Sequence, residues 1–355
     1  MQILSAASAF PKNYYPQEVL LQALQTYWGA TLESPELLRR LHRNTGVDGR
    51  YLALPVQAYP KLTGWGEVND LWIEVALDLG QQAISCALTN AGLAARDLDA
   101  FFFTSVTGIA SPSIDALLIN RIGLSPNIRR IPMFGLGCVA GAAGIARAAD
   151  YVKAYPSQMA VLLSVELCSL TIQKEDLSAA NLISAGLFGD GAAAVIVAGD
   201  ECTALTAAEN LGPAILATRS VFYPQTEHMM GWKISEKGFS IVLSREVPDL
   251  VRKQIGIDVD SFLAEYGHAR SDIGSWVLHT GGPKVLEAIE DALDFRDGQL
   301  RASWDCLRKT GNLSSASVLV VLEEIMKNRR PAPGTLGLMA AMGPGFCSEL
   351  LLLRW

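Results

Sequence analysis

Phe134-Gly-Leu-Gly-Cys-Val-Ala-Gly-Ala-Ala-Gly144 is the stretch on which the reading of this chain turns. The segment 131–134 reads as a strand. Gly135 and Gly137 after it permit a sharp turn. A helix is then expected over 140–154, with Ala140, Gly141, Ala142, Ala143, Gly144 and Ala146 leaving almost no bulk on one side. Small residues let backbones approach closely, which places this helix in the centre of the fold; a tight helix crossing alone has the same composition. The turn leaves Cys138 at the helix N-terminus, where the dipole and free N–H groups favour thiolate over thiol. A thiolate is what takes an acyl group from a thioester. The plain alternative is a buried structural cysteine, the usual role of a free one.

Outward from this stretch, strand-like and helix-like segments alternate, the pattern of an α/β protein. A helix is expected over 75–91, and buried strands over 100–106, 159–165 and 192–197. Further on, a short strand over 275–279 runs into a helix over 284–293, and a helix is expected over 314–326. No low-complexity linker separates the halves. The pattern turns polar near 199–212, so the chain divides into 1–205, carrying Cys138, and 206–355.

Composition narrows the function. Of 355 residues, 50% are apolar and 18% charged, so much of the chain must be buried. A net charge of −7 argues against nucleic acid or an anionic membrane as partner, since either demands a basic face. The cysteines, Cys86, Cys138, Cys168, Cys202, Cys306 and Cys347, stand far apart without a CxxC pair and read as reduced thiols. His42, His228, His268 and His279 lack metal-ligand spacing, so no metal site is expected. There is no Walker A motif, nor a GxGxxG after a strand, to support nucleotide or nicotinamide chemistry. The start is too short and uncharged for a signal peptide, and no apolar run reaches the roughly 20 residues of a membrane span. A cytoplasmic protein is expected.

Two further residues qualify as partners for Cys138. His279 ends the apolar strand in Ser275-Trp-Val-Leu-His-Thr-Gly-Gly-Pro-Lys284. Strand ends are where α/β folds place working groups. A buried imidazole there can pair with the thiolate and bond a thioester carbonyl; satisfying local backbone is the alternative. Asn312, in Thr310-Gly-Asn-Leu-Ser-Ser-Ala-Ser317, reads first as an N-cap. Its amide can equally donate to a developing enolate oxygen.

Together and in this order, the three resemble the Cys-His-Asn triad of the thiolase superfamily. Gly137-Cys-Val-Ala-Gly-Ala-Ala-Gly144, Leu187-Phe-Gly-Asp-Gly191, His279-Thr-Gly-Gly-Pro-Lys284, Gly311-Asn-Leu-Ser-Ser-Ala316 and Gly343-Pro-Gly-Phe346 are similar, in order, to bacterial type III polyketide synthases. The similarity runs along nearly the whole chain. It implies a five-layered αβαβα thiolase fold of two similar halves and a homodimer. It also implies that Cys138 takes a starter acyl group from an acyl-CoA. His279 and Asn312 then stabilise the enolate formed when malonyl-CoA loses carbon dioxide, and coenzyme A thioesters serve as substrates, with no cofactor. Phe188 matches one of the family's two gatekeeper phenylalanines; Ile241 stands at the second position, a departure. Val106, Cys168, Thr171, Ser184 and Ser314 match cavity-lining positions. The tetrahydroxynaphthalene-forming subgroup tends to carry extra cysteines where Val106, Thr171 and Ser184 stand, which lowers that reading. Arg39, Arg40 and Arg43 match the coenzyme A cluster approximately, and guanidinium groups suit phosphate; a solvated helix face is the alternative. Aliphatic Val106 and Ile241 point to a medium- or long-chain fatty acyl starter and an alkylpyrone or alkylresorcinol product. An aromatic-starter or malonyl-only synthase, a ketoacyl-ACP synthase III and a non-catalytic acyl-binding thiolase-fold protein stay open as alternatives.

Overall fold

Strands apolar on both faces must be covered on both, and that demand organises the molecule. The computed structural model describes residues 1–355 except 33, 208–210 and 297. The first half runs β1 (Gln2–Ala9), β2 (Asn13–Pro16), α1 (Gln17–Trp28), α2 (Pro35–Arg43), β3 (Gly49–Leu52), α3 (Trp65–Ala91), β4 (Ala100–Thr104), α4 (Ile114–Ile122), β5 (Arg129–Met133), α5 (Ala140–Ala154), β6 (Met159–Leu167), α6 (Ala179–Leu187) and β7 (Asp190–Ala198). After the short α7 (Ala204–Ala207) come β8 (Ala214–Phe222), β9 (Met230–Ser235), β10 (Gly238–Leu243), α8 (Val247–Glu265), β11 (Ile273–Leu278), α9 (Pro283–Leu293), α10 (Arg301–Thr310), α11 (Ser317–Asn328), β12 (Leu336–Gly343) and β13 (Cys347–Arg354).

Nine strands join in the order β11-β12-β13-β8-β1-β7-β6-β4-β5. Their side chains alternate between two cores. Along β6, Val161, Leu163 and Val165 pack with α3 and α4, while Ala160 and Leu162 face α5. Along β12, Met339 and Ala341 face α5 and α11, while Leu338 and Ala340 pack with α8 and α9. Helices thus cover both outer faces and α5 with α11 fills the middle, the expected αβαβα order. Among the described residues, no helix is long and apolar enough to cross a membrane.

The central helix is fixed by fit more than by hydrophobic yield. A large buried aliphatic side chain contributes roughly 1.5–3 kcal/mol; the alanines of α5 contribute less but allow close approach. A Cβ on Gly141 would lie 2.2 Å from the Ser315 carbonyl oxygen, and one on Gly144 would lie 2.5 Å from Leu162.

Two boundaries differ from the sequence reading. The first long helix begins at Trp65, because Trp72 continues its buried stripe among exposed polar residues that mask the period. The helix expected over 314–326 is a 3₁₀ turn, Ser314–Ala316, followed by α11. Ser314 has φ +49°, which a right-handed helix does not admit. Within the expected seam at 199–212, residues 208–210 lie outside the described residues.

Gly141→Ala tests the central packing. Overpacking against a backbone carbonyl is expected to cost about 1–3 kcal/mol in guanidinium unfolding. Stability equal to the parent protein would contradict the close approach.

Candidate active site

The topology brings distant loops to one place. Strands β4, β5 and β6 are parallel, so the segments after them emerge at the same edge: 105–107, 134–138 and 168–171. Antiparallel β7 begins there, with Asp190 opposite Leu167, and Phe188 just precedes it. In the second half β11 and β12 are parallel and also end together, placing His279 beside the chain leading to Pro344. Gly137 joins the two sets. Its φ is +56° and a Cβ there would lie 2.5 Å from Pro344, so only glycine fits this contact.

Cys138 sits in the 3₁₀ turn Gly137–Val139, immediately before α5. Its Sγ donates to Ser314 Oγ at 3.6 Å. Around it is a cavity of about 50 Å³ that Val106, Cys168, Thr171 and Ser184 also line. Phe188, Ile241 and Ser314 complete the set of sequence-chosen lining positions, all seven in this one cavity with Cys138. Met230 and Trp232 of β9, together with Asn181 and Pro344, line it as well. Met230 and Trp232 escaped the sequence reading because a hairpin wall gives no local signal.

Asn312 and His279 stand behind the lining. Asn312 is 1% exposed and forms an isolated parallel bridge with Phe188. Its N–H donates to the Leu187 carbonyl at 2.9 Å, and its own carbonyl accepts from Gly189 N–H at 3.0 Å. The side-chain Oδ1 accepts from Ser314 N–H at 2.8 Å and Ser317 Oγ at 3.2 Å, which fixes the orientation of the amide. Gly311 makes this possible. At φ +70° and ψ −169° it occupies a region open essentially to glycine alone, and a Cβ there would lie 2.5 Å from the Leu187 carbonyl oxygen. His279 is buried, its N–H donates to the Ala340 carbonyl at 3.1 Å, and its Nδ1 has no partner. Gly282, which leads from it into α9, packs against Leu187. The turn that follows His279 therefore packs beside the Phe188–Asn312 bridge.

The electrostatics correct one expectation. Burial pushes the Cys138 thiol up to about 12, with the Ser314 hydrogen bond opposing and the nearby Glu166 charge adding to the rise. Burial likewise pushes His279 down to about 4. Burial favours the neutral form of each group taken singly, against the thiolate that the sequence reading expected at the helix N-terminus. Glu166 falls in Leu163-Ser-Val-Glu-Leu-Cys-Ser-Leu170, a segment that also resembles the family, but the sequence reading gave it no role. It is fully buried, and burial raises its carboxyl. It accepts from Val106 N–H at 3.1 Å, Thr107 Oγ1 at 3.0 Å and Ser315 Oγ.

Arg39, Arg40 and Arg43 lie exposed on α2, Arg39 paired with Glu36. A larger cavity of about 460 Å³ lies beside the first. Ile172 lines both, and Leu20, Leu24, Val68 and Phe239 make the larger one mainly apolar.

Comparison with known proteins gives a consistent result. Residues 1–201 match the family model described as chalcone and stilbene synthases, N-terminal domain, and residues 214–355 match the C-terminal domain. A 1,3,6,8-tetrahydroxynaphthalene synthase of Streptomyces peucetius subsp. caesius is 48% identical, over 99% of this chain and 93% of the relative. A putative chalcone synthase of Bacillus subtilis (strain 168) is 35% identical over 99% of this chain and 98% of its own. The crystal structure of 1,3,6,8-tetrahydroxynaphthalene synthase from Streptomyces coelicolor A3(2), described as a bacterial type III polyketide synthase, superposes with TM-score 0.93 at 31% identity. That match covers 100% of this chain and 99% of the other.

Gly311→Ala is expected to cost about 1–3 kcal/mol in chemical unfolding through backbone strain, more if the Leu187 carbonyl cannot move aside. A loss below about 0.5 kcal/mol, the scatter of ordinary surface changes, would show that the Asn312 turn is not held as described.

Proposed function

We propose a reaction course for a chain that belongs to the chalcone and stilbene synthase family and is a type III polyketide synthase. Cys138 carries the growing acyl chain, and the observation that carries this reading is its placement in a cavity at the edge where both sets of parallel strands end. A thiol and an imidazole that are each neutral when buried can form an ion pair by one proton transfer, without changing the net charge of the pocket. In the proposed course the Cys138 proton passes to His279 as the sulfur attacks the thioester carbonyl of an acyl-CoA, and coenzyme A leaves as its thiol.

Malonyl-CoA follows. Its carboxylate carbon–carbon bond breaks, carbon dioxide leaves, and the electron pair moves to the thioester oxygen as an enolate. The Asn312 amide N–H₂ and the N–H of His279, neutral again once coenzyme A has left with the proton, donate to that oxygen. The enolate carbon then attacks the acyl-cysteine carbonyl, the carbon–sulfur bond breaks, and the chain is two carbons longer on coenzyme A. Phe188 stands as the gate in this reading, with aliphatic Ile241 opposite. The reading includes coenzyme A phosphates at Arg39, Arg40 and Arg43, and a homodimer.

For the starter, we favour malonyl-CoA itself and a compact polyhydroxylated aromatic product. The cavity around Cys138 is small and its wall includes Thr171, Ser184 and Asn181, which suit a ketone-rich chain. Tetrahydroxynaphthalene, the product named for the 48% identical relative, bears hydroxyl groups and no alkyl chain. The fatty acyl starter expected from Val106 and Ile241 is the second reading. It draws support from the 460 Å³ cavity beyond Ile172, where Leu20, Leu24, Val68 and Phe239 offer an aliphatic tail apolar wall beside the charged Arg50, Lys174 and Lys237.

A panel of acyl-CoAs with radiolabelled malonyl-CoA separates the two. Malonyl-CoA alone is expected to give the highest kcat/KM and a tail-free aromatic by mass spectrometry. Product only with C8 or longer starters would reverse the order. His279→Gln tests the proton transfer: iodoacetamide labelling of Cys138 at pH 7 is expected to slow at least tenfold, recovering only at strongly alkaline pH. An unchanged labelling rate and pH profile would remove His279 from that role.

A further inference from the structure

A buried charge accompanies the gate. Arg50, at β3, is 2% exposed, yet its guanidinium makes no ion pair within 4 Å among the described residues. Its Nη1 donates to the Phe188 carbonyl at 2.6 Å, and its Nε is buried without a partner. The nearest compensating charge is Asp190, whose carboxylate is committed to Ala53 N–H at 2.5 Å, Ser169 N–H at 2.8 Å and the Ser169 hydroxyl. A cation left this short of partners is costly to bury. Packing alone would be better served by an aliphatic side chain.

What Arg50 touches explains the arrangement. The Phe188 carbonyl belongs to the gate. On the far side of that gate residue, Gly189 N–H is held by the Asn312 carbonyl, and Asn312 N–H by the Leu187 carbonyl. Gly311 is pressed between Leu187 and the Arg50 side chain: a Cβ on it would lie 3.0 Å from Arg50 Cδ. The Arg50 side chain therefore abuts both strands of the Phe188–Asn312 bridge, its guanidinium at Phe188 and its methylene stem at Gly311, while the Cys138 turn is held by Pro344 and Ser314.

We propose that Arg50 is a positioning residue that, through the Phe188 carbonyl and the Gly311 turn, sets the placement of the Asn312 amide against the gate, and so governs malonyl decarboxylation but not the loading of Cys138. The inference rests on the role given above to Asn312. Loss of the guanidinium leaves the Phe188 carbonyl without its donor and frees the bridge to shift; a misplacement of 1 Å can cost on the order of a hundredfold in rate.

The test uses full-length Arg50→Met and Arg50→Lys, with Asn312→Ala as reference. Two rates are measured on each: carbon dioxide release from malonyl-CoA, and iodoacetamide labelling of Cys138. Arg50→Met is expected to lose at least tenfold in carbon dioxide release with labelling unchanged within twofold. Arg50→Lys, which restores one donor, is expected to regain at least a third of the lost rate. Should Arg50→Met fail to fold, Arg50→Lys must still show a selective loss of decarboxylation. Parallel loss of both rates, or of neither, overturns the proposal in favour of a purely structural arginine. If Asn312→Ala itself keeps full carbon dioxide release, the reading beneath the proposal fails, whatever Arg50 does.

Discussion

The carboxylate of Glu166 ties the walls of the cavity together. From the end of β6 it accepts hydrogen bonds from the segment after β4, at Val106 and Thr107, and from Ser315 in the turn beside Cys138. Ser315 in turn bonds Ser164 Oγ at 2.8 Å, so the second half of the chain is anchored to β6 twice over. A buried carboxylate is tolerable only when its oxygens are satisfied, and here both are. The consequence for Cys138 is direct: the negative charge held next to it adds to burial in keeping the sulfur protonated.

That constraint shapes the chemistry. A permanently ionised sulfur would need a cation beside it, and the fold supplies an uncharged imidazole and a network of hydroxyls. In the proposed course ionisation accompanies the reaction, within a cavity of about 50 Å³. Burial of the amide and imidazole strengthens each hydrogen bond that, in the proposed course, they make to a developing oxyanion.

Much of this was legible in the sequence. Helix α5 was read with its observed ends, and its small face with its central position. The lining positions, Val106 to Ser314, were found through motif resemblance; Val106 and Cys168 sit just past strand ends, but Ser184 lies within α6 and Ile241 within β10, where no local signal marks them. The protonation of Cys138 was not legible, since local sequence shows a helix N-terminus but not how deeply it is buried. Nor were Glu166 and Arg50. Glu166 lies within an apolar strand and Arg50 within a short edge pair, and their partners are 59 to 149 residues away. The helix expected to start at Ser314 failed for a local reason: a serine at positive φ carries no compositional mark.

The account depends on covalent carriage of the acyl chain by one of two thiols that share a cavity. Peptide mass spectrometry on enzyme quenched during turnover with malonyl-CoA decides between them. An acyl adduct on the peptide containing Cys138, with Cys168 unmodified, is the predicted result. An adduct on Cys168, or turnover with neither thiol ever acylated, would contradict it.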